Sequence, residues 1–123
     1  MNLFCKITLL TLAIFASSCS KDSDDNESQE YYIRYSASIL GSYPISSAGV
    51  VIINEHGENE NIGGRNFHSV TRTIGPVYKG FKAEISITTN PMKLSIECCK
   101  GEAPFVLKSH TNSGSYLTYT IDF

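Results

Sequence analysis

From position 31 onward, apolar and polar side chains alternate one by one in most stretches, and a period of two predicts strands rather than helices. Tyr31, Ile33, Tyr35, Ala37 and Ile39 alternate with Tyr32, Arg34, Ser36 and Ser38, which predicts a first strand over 31–39 with one wet face. Gly41-Ser42-Tyr43-Pro44 ends it. Residues 48–54 contain the β-branched run Val50-Val51-Ile52-Ile53, apolar on both faces and so expected at the centre of a sheet. His56-Gly57 turns the chain, Gly63-Gly64 punctuates it again, and a third strand is expected over 67–74, broken by Gly75-Pro76.

The remaining pattern is the clearest. Phe81, Ala83, Ile85 and Ile87 face one way while Lys82, Glu84, Ser86 and Thr88 face the other. Asn90-Pro91 leads into Met92, Leu94, Ile96 and Cys98, a short strand follows over 105–109, and the loop 111–115 precedes Leu117, Tyr119, Ile121 and Phe123. Seven short strands without a helical period predict an all-β fold, a seven-stranded antiparallel β-sandwich of the immunoglobulin-like or transthyretin-like kind. A transmembrane barrel needs at least eight strands of about 9–11 residues, more than 31–123 supplies once turns are included.

The first thirty residues follow another rule. Lys6 precedes an apolar run over 7–16 interrupted only by Thr8 and Thr11. About 20 apolar residues are needed to span a bilayer, so this run is too short to remain as a transmembrane helix and matches a signal-peptide core of roughly 7–15 residues. Ala16-Ser17-Ser18-Cys19 closes it with small side chains that a peptidase groove accommodates, followed by a thiol that can take a lipid. Residues 1–18 are therefore expected to be a signal peptide and Cys19 the acylated residue. Residues 19–30 are expected to form a disordered tether, because 20–30 holds no apolar side chain.

Charge sharpens this division. Residues 20–30 carry one Lys against five acids, whereas 31–123 carry eight basic and seven acidic residues, so the acidity belongs to the tether. Such a neutral domain lacks the basic footprint of a nucleic-acid binder.

Chemistry-bearing motifs are sparse. Glu55, His56 and Glu58 resemble metal ligands in type, but a polar turn has the same composition, and no metal or other cofactor is expected. There is no Gly-x-Ser-x-Gly elbow and no catalytic residue is assigned. Cys98 and Cys99 are adjacent, so in a strand they point to opposite faces; Cys98 is expected inward and buried, Cys99 outward and exposed. Tyr32, Tyr43, Tyr78 and Tyr116 lie off the inward registers or in turns and are the candidate contacts to a glycan or protein partner. Arg65, Arg72, Lys79 and Lys82 are candidates for a basic patch.

Ala16-Ser17-Ser18-Cys19 resembles the lipobox of bacterial lipoprotein precursors. The acidic run after it, carried by Lys21, Asp22, Asp24 and Asp25, resembles the export signal that sends Bacteroidetes-type lipoproteins to the outer face of the outer membrane. In the domain, Tyr32-Ile33-Arg34-Tyr35, the stretch from Thr73 to Ala83, Pro104-Phe105-Val106-Leu107-Lys108 and the closing Tyr119-Thr120-Ile121-Asp122-Phe123 resemble small Bacteroidetes lipoproteins of unknown role. More distantly the layout is similar to the mycobacterial MmpS family, whose membrane-anchored sandwiches accompany lipid exporters. The resemblance implies a non-enzymatic, surface-facing outer-membrane lipoprotein that meets the membrane through its lipid and binds a protein or envelope assembly. A glycan-binding module is the alternative.

Overall fold

The computed structural model describes residues 29–123; the expected signal peptide, Cys19 and the residues of the expected export signal, Lys21, Asp22, Asp24 and Asp25, lie outside them. Strict alternation in YYIRYSAS produces β1 (Tyr31–Ser38), which buries Tyr31, Ile33, Tyr35 and Ala37 and leaves the intervening residues half-exposed. The other strands are β2 (Ile45–Ser47), β3 (Val50–Ile53), β4 (Asn59–Asn61), β5 (Arg65–Phe67), β6 (Ser69–Val77), β7 (Lys82–Ile87), β8 (Met92–Lys100), β9 (Val106–Gly114) and β10 (Tyr116–Thr120).

These strands build two four-stranded antiparallel sheets, ordered β6-β1-β8-β9 and β10-β7-β3-β4, with a small β2-β5 pair beside them. Residues from both sheets share one buried cluster, including Ile33, Tyr35 and Ile96 from the first and Val50, Ile52 and Ile85 from the second. The fold is thus all-β and sandwich-like, with the core between the sheets. Each of the seven expected segments contains a strand; β2, β4 and β5 are three-residue additions that carry no alternating apolar signal. As expected for a run apolar on both faces, β3 is interior to its sheet, between β7 and β4.

Two breaks expected from the sequence are spanned by strand, and β10 stops at Thr120, short of the expected Phe123. Gly75-Pro76 does not break the third strand: β6 continues to Val77, passing the two residues in a bulge where Tyr31 pairs with Val77 and Ile33 with Ile74. β6 is an edge strand, where Pro is tolerated, and Pro76 falls in the bulge, outside the residues that pair with β1. Gly75 has φ +144°, and a Cβ there would overlap the ring of Tyr32, so this bulge requires glycine. The loop expected at 111–115 is mostly strand, since Leu94 pairs with Thr111 and Met92 with Gly114. Main-chain pairing needs no apolar side chain, and two register shifts accommodate the extra residues of β9.

The inward row of the last segment is also thinner than its pattern suggests. Ile121 is buried, but Leu117, Tyr119 and Phe123 are only partly covered, because β10 is an edge of its sheet and its side chains lie along the flank of the core. Their flank is sealed locally: Phe123 stacks edge-on against Tyr31 at 5.5 Å, and the Lys108 ammonium lies 3.7 Å from the Phe123 ring centroid. On the opposite flank Arg72 of β6 pairs with Glu60 of β4, joining the edge strands of the two sheets. That guanidinium, with the Asn54 amide, holds the Glu60 carboxyl below its ordinary range.

Candidate functional site

β1 runs from Tyr31 toward Ser38, and its register carries its neighbours' residues to that far end. Outward positions there form cross-strand rows. One row is Thr71, Ser36, Ser95 and His110, and the next is Ser69, Ser38 and Lys93. Because the floor residues are short, the outer face of the first sheet is hollowed into a groove of about 480 Å³, bounded by Lys93, Leu107, His110 and Asn112. Four strands at about 4.8 Å spacing make such a groove roughly 14 Å long. Among the described residues no Asp or Glu lines it.

The groove stops where the outer face becomes charged and aromatic. Arg34 donates from Nε to Glu97 at 2.6 Å and lies 4.2 Å from the Phe105 ring centroid, an arrangement that holds the guanidinium firmly protonated. Beyond it, burial of the Tyr32 ring and the carboxylate of Glu30 raise the Tyr32 phenol above its ordinary value. At the far end, beside the groove, a second hollow of about 290 Å³ is lined by Ile39, Leu40, Ile45, Pro91 and Met92, together with Tyr43, which is 84% exposed.

No protein-family model, curated protein or solved structure matches the chain.

The four candidate tyrosines do not all share one surface, although Tyr32 and Tyr78 lie near enough to interact electrostatically. Tyr32 is half-buried on the outer face of the first sheet, Tyr43 stands at the far end, Tyr78 lies in the turn after β6, and Tyr116 bonds to Glu84 on the second sheet at 3.2 Å. The basic candidates are also dispersed: Arg72 is engaged with Glu60, Lys82 is 3.7 Å from Glu84, Lys79 lies near Tyr31 and Phe123, and Arg65 is on β5. Around His56 the organising group is Asn54, whose Oδ1 accepts from the backbone N–H groups of His56 and Glu58 at 2.9 and 3.0 Å. Among the described residues no three His, Cys, Asp or Glu side chains gather into a metal-binding group.

Cys98 faces inward and is completely buried, as the register requires. Cys99 corrects the expectation of an exposed thiol, since it is only 5% exposed although it is not part of the core cluster. It lies opposite Tyr32 in the adjacent strand, and its Sγ approaches the Gly101 carbonyl of the following turn at 3.7 Å. A face assignment says which way a side chain points, while a neighbouring turn decides whether solvent reaches it. Burial, reinforced by Cys99, pushes the Cys98 thiol up to about 11, so it is held as a thiol at neutral pH.

Sequence reasoning missed the groove. Its signal was the run of small hydroxyl residues at outward positions, Ser36, Ser38 and Ser95, which reads equally well as an ordinary wet face. Only strand pairing shows that they adjoin one another.

Proposed function

We propose that this chain is a non-enzymatic lipoprotein of the cell envelope, anchored in the outer membrane through an acylated Cys19 and facing the cell surface, that serves as a binding or accessory module for a protein partner or envelope assembly. The observation that carries this reading is spatial. The chain enters the sandwich at Tyr31, where the Glu30 carbonyl accepts from Gly101, whereas the groove and the exposed Tyr43 and Leu40 stand at the other end. A lipid at Cys19 followed by the acidic tether would present that far end away from the bilayer. The edge strand β9 supports a protein partner, with Val106 and Leu107 about half exposed.

The non-enzymatic part rests on the groove's contents. Ser95 stands opposite His110, yet no hydrogen bond joins their side chains, and among the described residues no carboxylate lies in the groove to orient the imidazole. We place the fold with the immunoglobulin-like or transthyretin-like sandwiches, counting the seven longer strands and treating the three short ones as local additions. Similarity to the small Bacteroidetes lipoproteins and to the MmpS family belongs to this same reading.

The test of anchoring is Cys19→Ala. A lipid contributes about 0.8 kcal/mol per buried CH₂, so the variant should leave the membrane fraction or accumulate unprocessed. Retention in the membrane with unchanged processing contradicts the proposal. Protease added to intact cells should digest the wild-type domain if it faces outward.

A second reading, a glycan-binding module of a polysaccharide-capture system, is favoured by one observation, the hydroxyl-lined groove. It does not rest on the dispersed tyrosines.

A further inference from the structure

The far end of the sandwich is polarised as well as hollow. The segments that build the groove, 36–38, 69–71, 93–95 and 107–112, contain no Asp or Glu, and Lys93 and His110 stand at its margin. Lys93 has no ion-pair partner among the described residues. Serine and threonine hydroxyls both donate and accept, which suits a chain that is itself covered in hydroxyls. Among the described residues no Phe, Tyr or Trp lines the groove, so a neutral sugar would lack their stacking surface and depend chiefly on hydrogen bonds exchanged one for one with water. A ligand bearing carboxylates gains charge-assisted contacts in addition. A polypeptide, by contrast, is usually held by side-chain anchors in apolar pockets, and here the exposed large apolar side chain, Leu107, stands at the margin of the groove and not in its floor.

We propose that this groove binds an acidic glycan chain, with Lys93 receiving a uronate carboxylate and the rows Thr71-Ser36-Ser95 and Ser69-Ser38 meeting the sugar hydroxyls. The proposal rests on the glycan reading above and gives its ligand class. Charge complementarity selects the acid, and the volume of about 480 Å³ falls within the range of about 300–1,000 Å³ usual for small-ligand sites.

The experiment is a calorimetric titration of the purified full chain in detergent with alginate oligosaccharides, whose sugars all carry carboxylates. Binding should weaken as salt rises. Lys93→Gln should lower affinity about tenfold, the weight of one charge-assisted contact. Ser95→Val, which narrows the floor with a residue suited to strands, should also weaken binding while leaving the melting temperature near wild type. Thr118→Ser, at an exposed position on the other sheet, should bind as wild type. Absence of alginate binding, or equal binding of neutral dextran oligosaccharides, overturns the acidic glycan. So does polyglutamate that binds as tightly and is equally sensitive to Lys93→Gln, an outcome that assigns the groove to an acidic polypeptide. Anchoring is read separately by fractionation: a chain retained through Cys19 that ignores alginate sinks this inference alone, and an unanchored chain that binds alginate sinks the lipoprotein reading alone.

Discussion

The Tyr35 hydroxyl crosses the core from the first sheet and donates to the Ile53 carbonyl of the second at 2.8 Å. It also accepts from the Glu84 N–H at 3.3 Å, and Ile53 and Glu84 are the residues that would pair next, after Ile52 and Ile85, where the β3-β7 ladder stops. One phenol therefore satisfies two main-chain groups and fixes the separation of the sheets, and its burial raises its pKa well above the ordinary value. Tyr35→Phe keeps the ring but leaves both groups without this partner. Chemical denaturation should show a loss of about 1–3 kcal/mol with an unchanged slope. A variant as stable as wild type would show that β3 and β7 close the gap themselves.

The bulge at Gly75 makes a comparable demand on the backbone. With φ at +144° and the Tyr32 ring where a Cβ would go, Gly75→Ala meets both an unfavourable conformation and a clash. A loss of about 1–3 kcal/mol is expected in thermal or denaturant melts. Removing the ring in the Tyr32→Ala background should recover part of it, because only the clash, not the φ angle, is relieved.

Cys98 and Cys99 are both shielded, so a membrane-impermeant thiol reagent should label neither in the native protein and both after unfolding. Rapid labelling of Cys99 alone would restore the exposed assignment. The raised Cys98 pKa also has a direction. The folded state keeps the proton more tightly than the unfolded chain, so the associated stability is complete below pH 9 and is lost as pH rises toward about 11. The melting temperature should fall across that window, less steeply in Cys98→Ala. Tyr119, raised to about 12 by burial and by its contact with Asp122, acts in the same direction at higher pH.

Ile85 is fully buried in the row shared by both sheets. Ile85→Asp forces an unpaired carboxylate into that core and should abolish cooperative melting. His56 is exposed in its turn, and His56→Ala should change stability by no more than about 0.5 kcal/mol. A metal-dependent rise in melting temperature that disappears in His56→Ala would point instead to a metal site there.

The sequence by itself determined the strand-bearing segments and the faces they bury, because alternation in 31–39, 81–88 and 92–98 reports directly which side of a pleated strand meets the core. It also determined the division between an acidic, apolar-free stretch and a neutral domain, which is a matter of composition alone. Strand order was decided only by tertiary structure, since pairing is made by backbone groups that every residue carries. That is why β9 extends through 111–114 and β6 through Gly75-Pro76, and why edge position leaves Leu117 and Tyr119 only partly covered. The groove belongs to the same class. Ser36 on β1, Thr71 on β6, Ser95 on β8 and His110 on β9 are far apart in the chain, and they form one row only because antiparallel register brings them level.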